Sequence, residues 1–133
     1  SIARVTDCRL QDVAHAIERL PAGEIIAALD LGPQILLHTS HSVVATSHHR
    51  GDAAIRFQID NFSADPAEAG RQLRARGTRY VMMCPGLREQ ALYAMRAPSG
   101  FMAVLQDNRA PGWMAPIALP ENSGVRMWRV TPE

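Results

Sequence analysis

Histidine is the densest chemical signal in this chain: His38, His41, His48 and His49, four of five, fall within twelve positions. Neutral imidazoles ligate zinc and copper, so a metal centre is one reading of the cluster. The spacing speaks against it. His48 and His49 are adjacent and point apart on any regular backbone, and no cysteine or carboxylate stands at a typical ligand offset. Loop histidines at the open edge of a sheet are the favoured reading, and neither a metal nor a cofactor is expected.

A second constellation adds an acid and a cation. Asp30 follows an apolar run at residues 24–29, and His48, His49 and Arg50 follow another at 42–46. If the two runs are parallel neighbouring strands, these side chains gather at the carboxyl edge, where open α/β sheets bind ligands. An Asp, a His and an Arg in one crevice could move a proton or hold a phosphate. Asp30, His41, His48, His49 and Arg50 are therefore the ligand-binding candidates, with no residue assigned as catalytic. The structural alternative has Asp30 capping the short helix after Pro33, with Arg50 paired to it.

Other chemistries are excluded by what is missing. All fourteen basic residues are Arg, so a nucleophilic Lys, a Schiff-base Lys and a P-loop Lys are ruled out. Asp30-Leu31-Gly32-Pro33 has one Gly, where a dinucleotide fingerprint needs three. No G-x-S-x-G elbow occurs. The net charge of +1 leaves no footprint for nucleic acid. No run of 18 apolar residues could span a bilayer, and no charged-then-apolar leader is present.

The elements that must position these residues follow from periodicity. Residues 7–20 read as an amphipathic helix capped by Asp7, with Leu10, Val13, Ile17 and Leu20 on one face. Residues 24–29, 42–46 and 79–84 are short, nearly continuous apolar runs, as strands buried on both faces should be. Pro33 opens a short helix, and a further helix runs from Asp52. Asp65, Pro66, Glu68 and Gly77 are cap, first turn and stop of another helix. Residues 87–96 are helical, and Ser99 caps one more helix containing Phe101 and Leu105. Residues 113–119 and 125–130 form a hairpin around a 120–124 loop. The expected fold is α/β, a single domain over residues 1–133. Its mixed sheet has about five strands with flanking helices, parallel at the start and closed by a C-terminal antiparallel hairpin. Met82, Met83, Trp113 and Trp128 are core or core-margin residues, with a membrane interface or a partner as the alternative for Trp113.

Several segments occur in a distinctive order: Asp30-Leu31-Gly32-Pro33, Leu37 through Ala45, His49-Arg50, Tyr80-Val81 through Cys84-Pro85-Gly86, and Met127-Trp128-Arg129-Val130. They resemble the C-terminal soluble domain of uncharacterised bacterial multispanning membrane proteins, themselves similar to C-type glycosyltransferases that use lipid-phosphate sugar donors. The resemblance runs from about Cys8 onward. It departs from the usual form at Ser40, His48 and Gly51, where Pro, Tyr and Asn are customary. A looser, fold-level similarity is to the soluble domain of the oligosaccharyltransferase catalytic subunit, in which a strand ending in Asp and Gly also opens a helix.

The resemblance implies a chain cut from a longer membrane protein, in keeping with Ser1 as first residue and Met82 as first methionine. It implies an accessory domain, not catalytic alone, on the periplasmic face of the bacterial inner membrane. Its partners would be the transmembrane region of the same parent chain and a lipid-linked phosphate sugar. The alternatives are a small stand-alone enzyme using Asp30, His49 and Arg50, and an envelope protein-interaction module. In an oxidising periplasm Cys8 and Cys84 would be expected to pair. Helices packed on a parallel sheet run antiparallel to its strands, which brings the start of the first helix toward the carboxyl end of the third strand. Cα atoms more than about 7 Å apart would rule the bridge out.

Overall fold

The structure, a computed structural model, describes residues 8–47 and 52–132. The apolar runs become strands because each is covered on both sides. Strands β1 (Glu24–Ile26), β2 (Ser42–Val43), β3 (Tyr80–Met83), β4 (Met114–Ile117) and β5 (Arg126–Val130) form one sheet in the order β2-β1-β3-β5-β4. β1 pairs in parallel with β2 and β3, while β5 runs antiparallel to both β3 and β4. The fold is the expected α/β class, a mixed sheet that is parallel at the start and ends in antiparallel strands.

Alternation along the strands sends successive side chains into two separate cores. Ile25, Tyr80 and Met82 pack with Leu10, Val13 and Ile17 of helix α1 (Leu10–Glu18) and Ile35 of α2 (Gly32–His38). Ile26, Val81 and Met83 pack on the opposite face. There they meet Phe62 of α3 (Asp52–Ser63), Leu73 of α4 (Pro66–Arg76), Tyr93 of α5 (Arg88–Arg96) and Phe101 of α6 (Phe101–Gln106). Phe62 lies between the rings of Tyr93 and Phe101, at centroid distances of 5.3 and 6.0 Å. Trp113 joins this core from its margin: its indole N–H donates to the Pro66 carbonyl at 2.9 Å and its ring meets Phe101 at 5.2 Å.

Local signals succeed best at α4. The Asp65 carboxylate accepts the Ala67 N–H at 3.0 Å, Pro66 occupies the first turn, and Gly77 ends the helix in the left-handed region at φ 87°. Glu68 turns outward to Arg71 at 2.7 Å rather than back to the cap.

Elsewhere the boundaries move. β1 stops at Ile26, three residues earlier than its apolar run, because Leu29–Leu31 coils into a 3₁₀ turn held by tertiary contacts. β2 keeps two ladder residues, although Val44, Ala45 and Thr46 remain buried beyond it. α1 begins at Leu10 with Arg9 at its cap position and no side-chain bond there, while Asp7 lies outside the described residues. The cap of α6 is Gly100, not Ser99, again without a side-chain bond. The Phe101 N–H instead donates to the Ala64 carbonyl at 2.8 Å, so a neighbouring segment satisfies it.

Candidate functional site

The parallel register places the carboxyl ends of β1, β2 and β3 along one edge. Asp30 follows β1 there and is exposed; its side chain caps neither the 3₁₀ turn nor α2. His48, His49 and Arg50 lie outside the described residues. Cys84 follows β3 at the same edge and is bonded to Cys8, with Cα atoms 5.8 Å apart. The bridge joins the segment before α1 to the end of the central strand.

His41 stands at the other edge. It precedes β2, so the register that sends Asp30 to the carboxyl ends sends His41 to the amino ends. It is 3% exposed. Its Nδ1 accepts the Gly23 N–H at 3.2 Å, which leaves the proton on Nε2 to donate to the Ile17 carbonyl at 2.8 Å. With Tyr80 edge-on at 5.4 Å, the imidazole has no lone pair left for a ligand and ties α1 to β1. Among the described residues no three His, Cys, Asp or Glu side chains gather as a metal-binding group.

Near His41, Glu18 carries a testable pH dependence. The Ser40 hydroxyl and then the Ser40 N–H, at 2.5 and 2.7 Å, hold its carboxyl below the usual carboxylate range. A depressed folded-state pKa stabilises above the unfolded value and loses that stabilisation as pH falls through the folded one. Glu18→Gln should therefore melt earlier than the parent at neutral pH. The gap should narrow in acid, below the ordinary value of 4.5, and thermal melts at two pH values check this.

Four residues outside the sequence-derived candidates organise the carboxyl edge. Leu29 N–H donates to both oxygens of Glu89, each at 2.8 Å, and the Tyr93 hydroxyl donates to the same carboxylate. Gln90 clamps the end of β3: its Oε1 accepts the Cys84 N–H at 3.1 Å and its Nε2 donates to the Cys84 carbonyl at 2.6 Å. The first turn of α5 thus fastens the ends of the two central parallel strands. Burial, reinforced by the Glu89 carboxylate, pushes the Tyr93 hydroxyl far above its usual range, so it remains a donor at any physiological pH. Fully buried Gln58 lies beside that hydroxyl.

Such a cluster positions backbone. It does not present an activated nucleophile. Glu89 and Tyr93 at i,i+4 spacing were visible as a pair in the sequence, whereas their partner Leu29, sixty residues away, was not.

The fold built around this edge has a solved counterpart. The chain superimposes on the C-terminal globular domain of an oligosaccharyltransferase from Archaeoglobus fulgidus with a TM-score of 0.63 and 14% identity. The match covers 89% of this chain and 94% of that one. The likeness is one of fold. No protein-family model matches the sequence, and no curated protein matches it at a significant level. No helix among the described residues is long and apolar enough to cross a membrane.

Proposed function

We propose that this chain is an accessory, extracytoplasmic domain of a glycosyltransferase-like protein of the bacterial inner membrane. The observation that carries the reading is the likeness, over 89% of the chain, to a globular domain that terminates an oligosaccharyltransferase. Two features support it. The Cys8–Cys84 bridge suits an oxidising compartment. The carboxyl edge, where an enzyme of this architecture would place its reacting groups, is occupied among the described residues by contacts that hold strand ends.

In this reading the domain docks on the transmembrane region of its parent chain, and transfer from a lipid-linked phosphate sugar belongs to the membrane part. Asp30, exposed at the carboxyl edge, is then a ligand-facing residue.

The parent protein in spheroplasts tests both halves. Protease added outside should digest the domain without lysis, and excising the domain should depress sugar transfer while leaving the isolated domain without transferase activity. A domain protected until lysis would refute the extracytoplasmic placement. Undiminished transfer after excision would refute the accessory role.

A further inference from the structure

We infer that the outer face of α5 rests on an anionic membrane surface. A surface helix ordinarily turns its apolar residues toward the core and its polar ones to water. Helix α5 does the reverse. Its inward side carries Glu89, Gln90 and Tyr93, whose polar atoms are engaged within the carboxyl edge. Its exposed residues are Arg88, Ala91, Leu92, Met95 and Arg96. At about 3.6 residues per turn these fall on one face, which holds no carboxylate and no uncharged polar group.

The internal bonds fix which way the helix is turned. Glu89 must face the Leu29 N–H and Gln90 must face the backbone of Cys84, so helical geometry sends positions 88, 92 and 95 outward. Those bonds do not explain why the outward positions are Leu and Met. Leu92 is 53% exposed and Met95 74%. Single exposed apolar side chains are ordinary, but a pair at i,i+3 beside Ala91 forms a continuous strip that water solvates poorly.

The flanking charges select the partner. Arg88 and Arg96 bracket the strip, about 12 Å apart along the helix axis. Arg88 is the first residue of α5, where the helix dipole disfavours a cation, so helix stability does not account for it. Beyond Arg96 the surface passes to α3, whose Asp52, Arg56 and Asp60 line one cleft with it. Two aspartates and two arginines sum to zero there, and the surplus positive charge lies at Arg88. Leu92 and Met95 entering the headgroup boundary, with guanidinium groups reaching lipid phosphates, is the chemistry of a helix lying in a membrane interface. A neutral apolar partner would have no use for the arginines. The inference rests on the accessory-domain reading and names the lipid surface against which that domain lies.

Co-sedimentation of the chain with phosphatidylcholine vesicles, containing or lacking phosphatidylglycerol, tests this. The chain should sediment with the anionic vesicles, and less so as salt is added. Leu92→Ser with Met95→Ser should weaken binding by about ten-fold or more, as loss of two inserted apolar side chains predicts. Arg88→Gln with Arg96→Gln should weaken it by about as much at low salt. Leu36→Ser with Leu37→Ser is the control: both side chains are exposed, on α2 against the opposite core, and binding should be unchanged. Thermal melts of all three pairs should match the parent, because every altered side chain is exposed. No sedimentation, equal binding without phosphatidylglycerol, or equal weakening by the α2 pair would overturn the inference. So would a dimer that Leu92→Ser with Met95→Ser dissolves while vesicles stay unbound, which would assign the face to a second copy of the chain. None of these results touches the accessory-domain reading, which the spheroplast experiment decides separately.

Discussion

Removing the Cys8–Cys84 bridge is expected to produce the largest loss of stability of any change considered for this chain. The bridge closes a loop of sequence separation 76, and cross-linking a loop of that length removes about 4–5 kcal/mol of unfolded-state entropy in the chain-entropy model. Cys84 is fully buried among Ile25, Tyr80 and Met82, so its end of the bridge sits in packed surroundings. Cys8 precedes α1 and packs at the margin of the same core, next to the Arg9 N–H that donates to the Ser123 carbonyl at 3.3 Å. Opening the bridge therefore frees the start of α1 as well as enlarging the unfolded ensemble. Thermal melts with and without a thiol reductant, and of Cys8→Ala with Cys84→Ala, should agree. Both should fall by roughly 10–20 °C, since each kcal/mol shifts a domain of this size by about 3–5 °C. A shift of only a degree or two in both would show that the bridge adds nothing the packing does not already supply.

Glu89→Ala is expected to follow, at about 2–4 kcal/mol. The carboxylate accepts the Leu29 N–H on both oxygens and the Tyr93 hydroxyl, and truncation leaves two donors without an acceptor. An unsatisfied buried donor costs about 1–3 kcal/mol, and bonds to a charged acceptor lie toward the upper end. Tyr93 is 6% exposed, so water reaches its side chain poorly. Glu89→Gln should cost less, because one oxygen remains to accept while the new amide N–H₂ faces a donor. A cycle combining Glu89→Gln with Tyr93→Phe should show coupling between the two positions, as residues in contact do. Denaturant melts measure all four proteins. If Glu89→Ala unfolds within about 0.5 kcal/mol of the parent, the turn after β1 is held by its own packing and not by α5.

These effects have one structural meaning. The carboxyl edge is stitched by the first turn of α5 and by a covalent bond, so Asp30 projects from a fixed turn rather than from a free loop.

The parts of this protein legible from the sequence are those whose causes are local. Pro66 to Gly77 announces itself because cap, first turn and stop act within a dozen residues, and the capping bonds lie inside the same helix. The runs at 24–29 and 79–84 read as strands covered on both faces because apolar residues without alternation leave no side for water. Ile25 and Ile26, and then Tyr80 to Met83, do divide between two cores. The pairing of Cys8 with Cys84 was within reach once helices were taken to run against the strands they cover. What only the tertiary structure decided are relations between distant segments. His41 stands only eleven positions from Asp30, yet one parallel register sets them at opposite edges. The turn after β1 is held by Glu89, sixty residues downstream, which accepts the Leu29 N–H. Glu24, Arg76 and Thr78 meet from β1, α4 and the approach to β3, and nothing in their spacing foretells that contact. Local propensity acts over a turn or two of chain, while strand register brings together residues that no short-range pattern connects, and at both edges of this sheet register prevails.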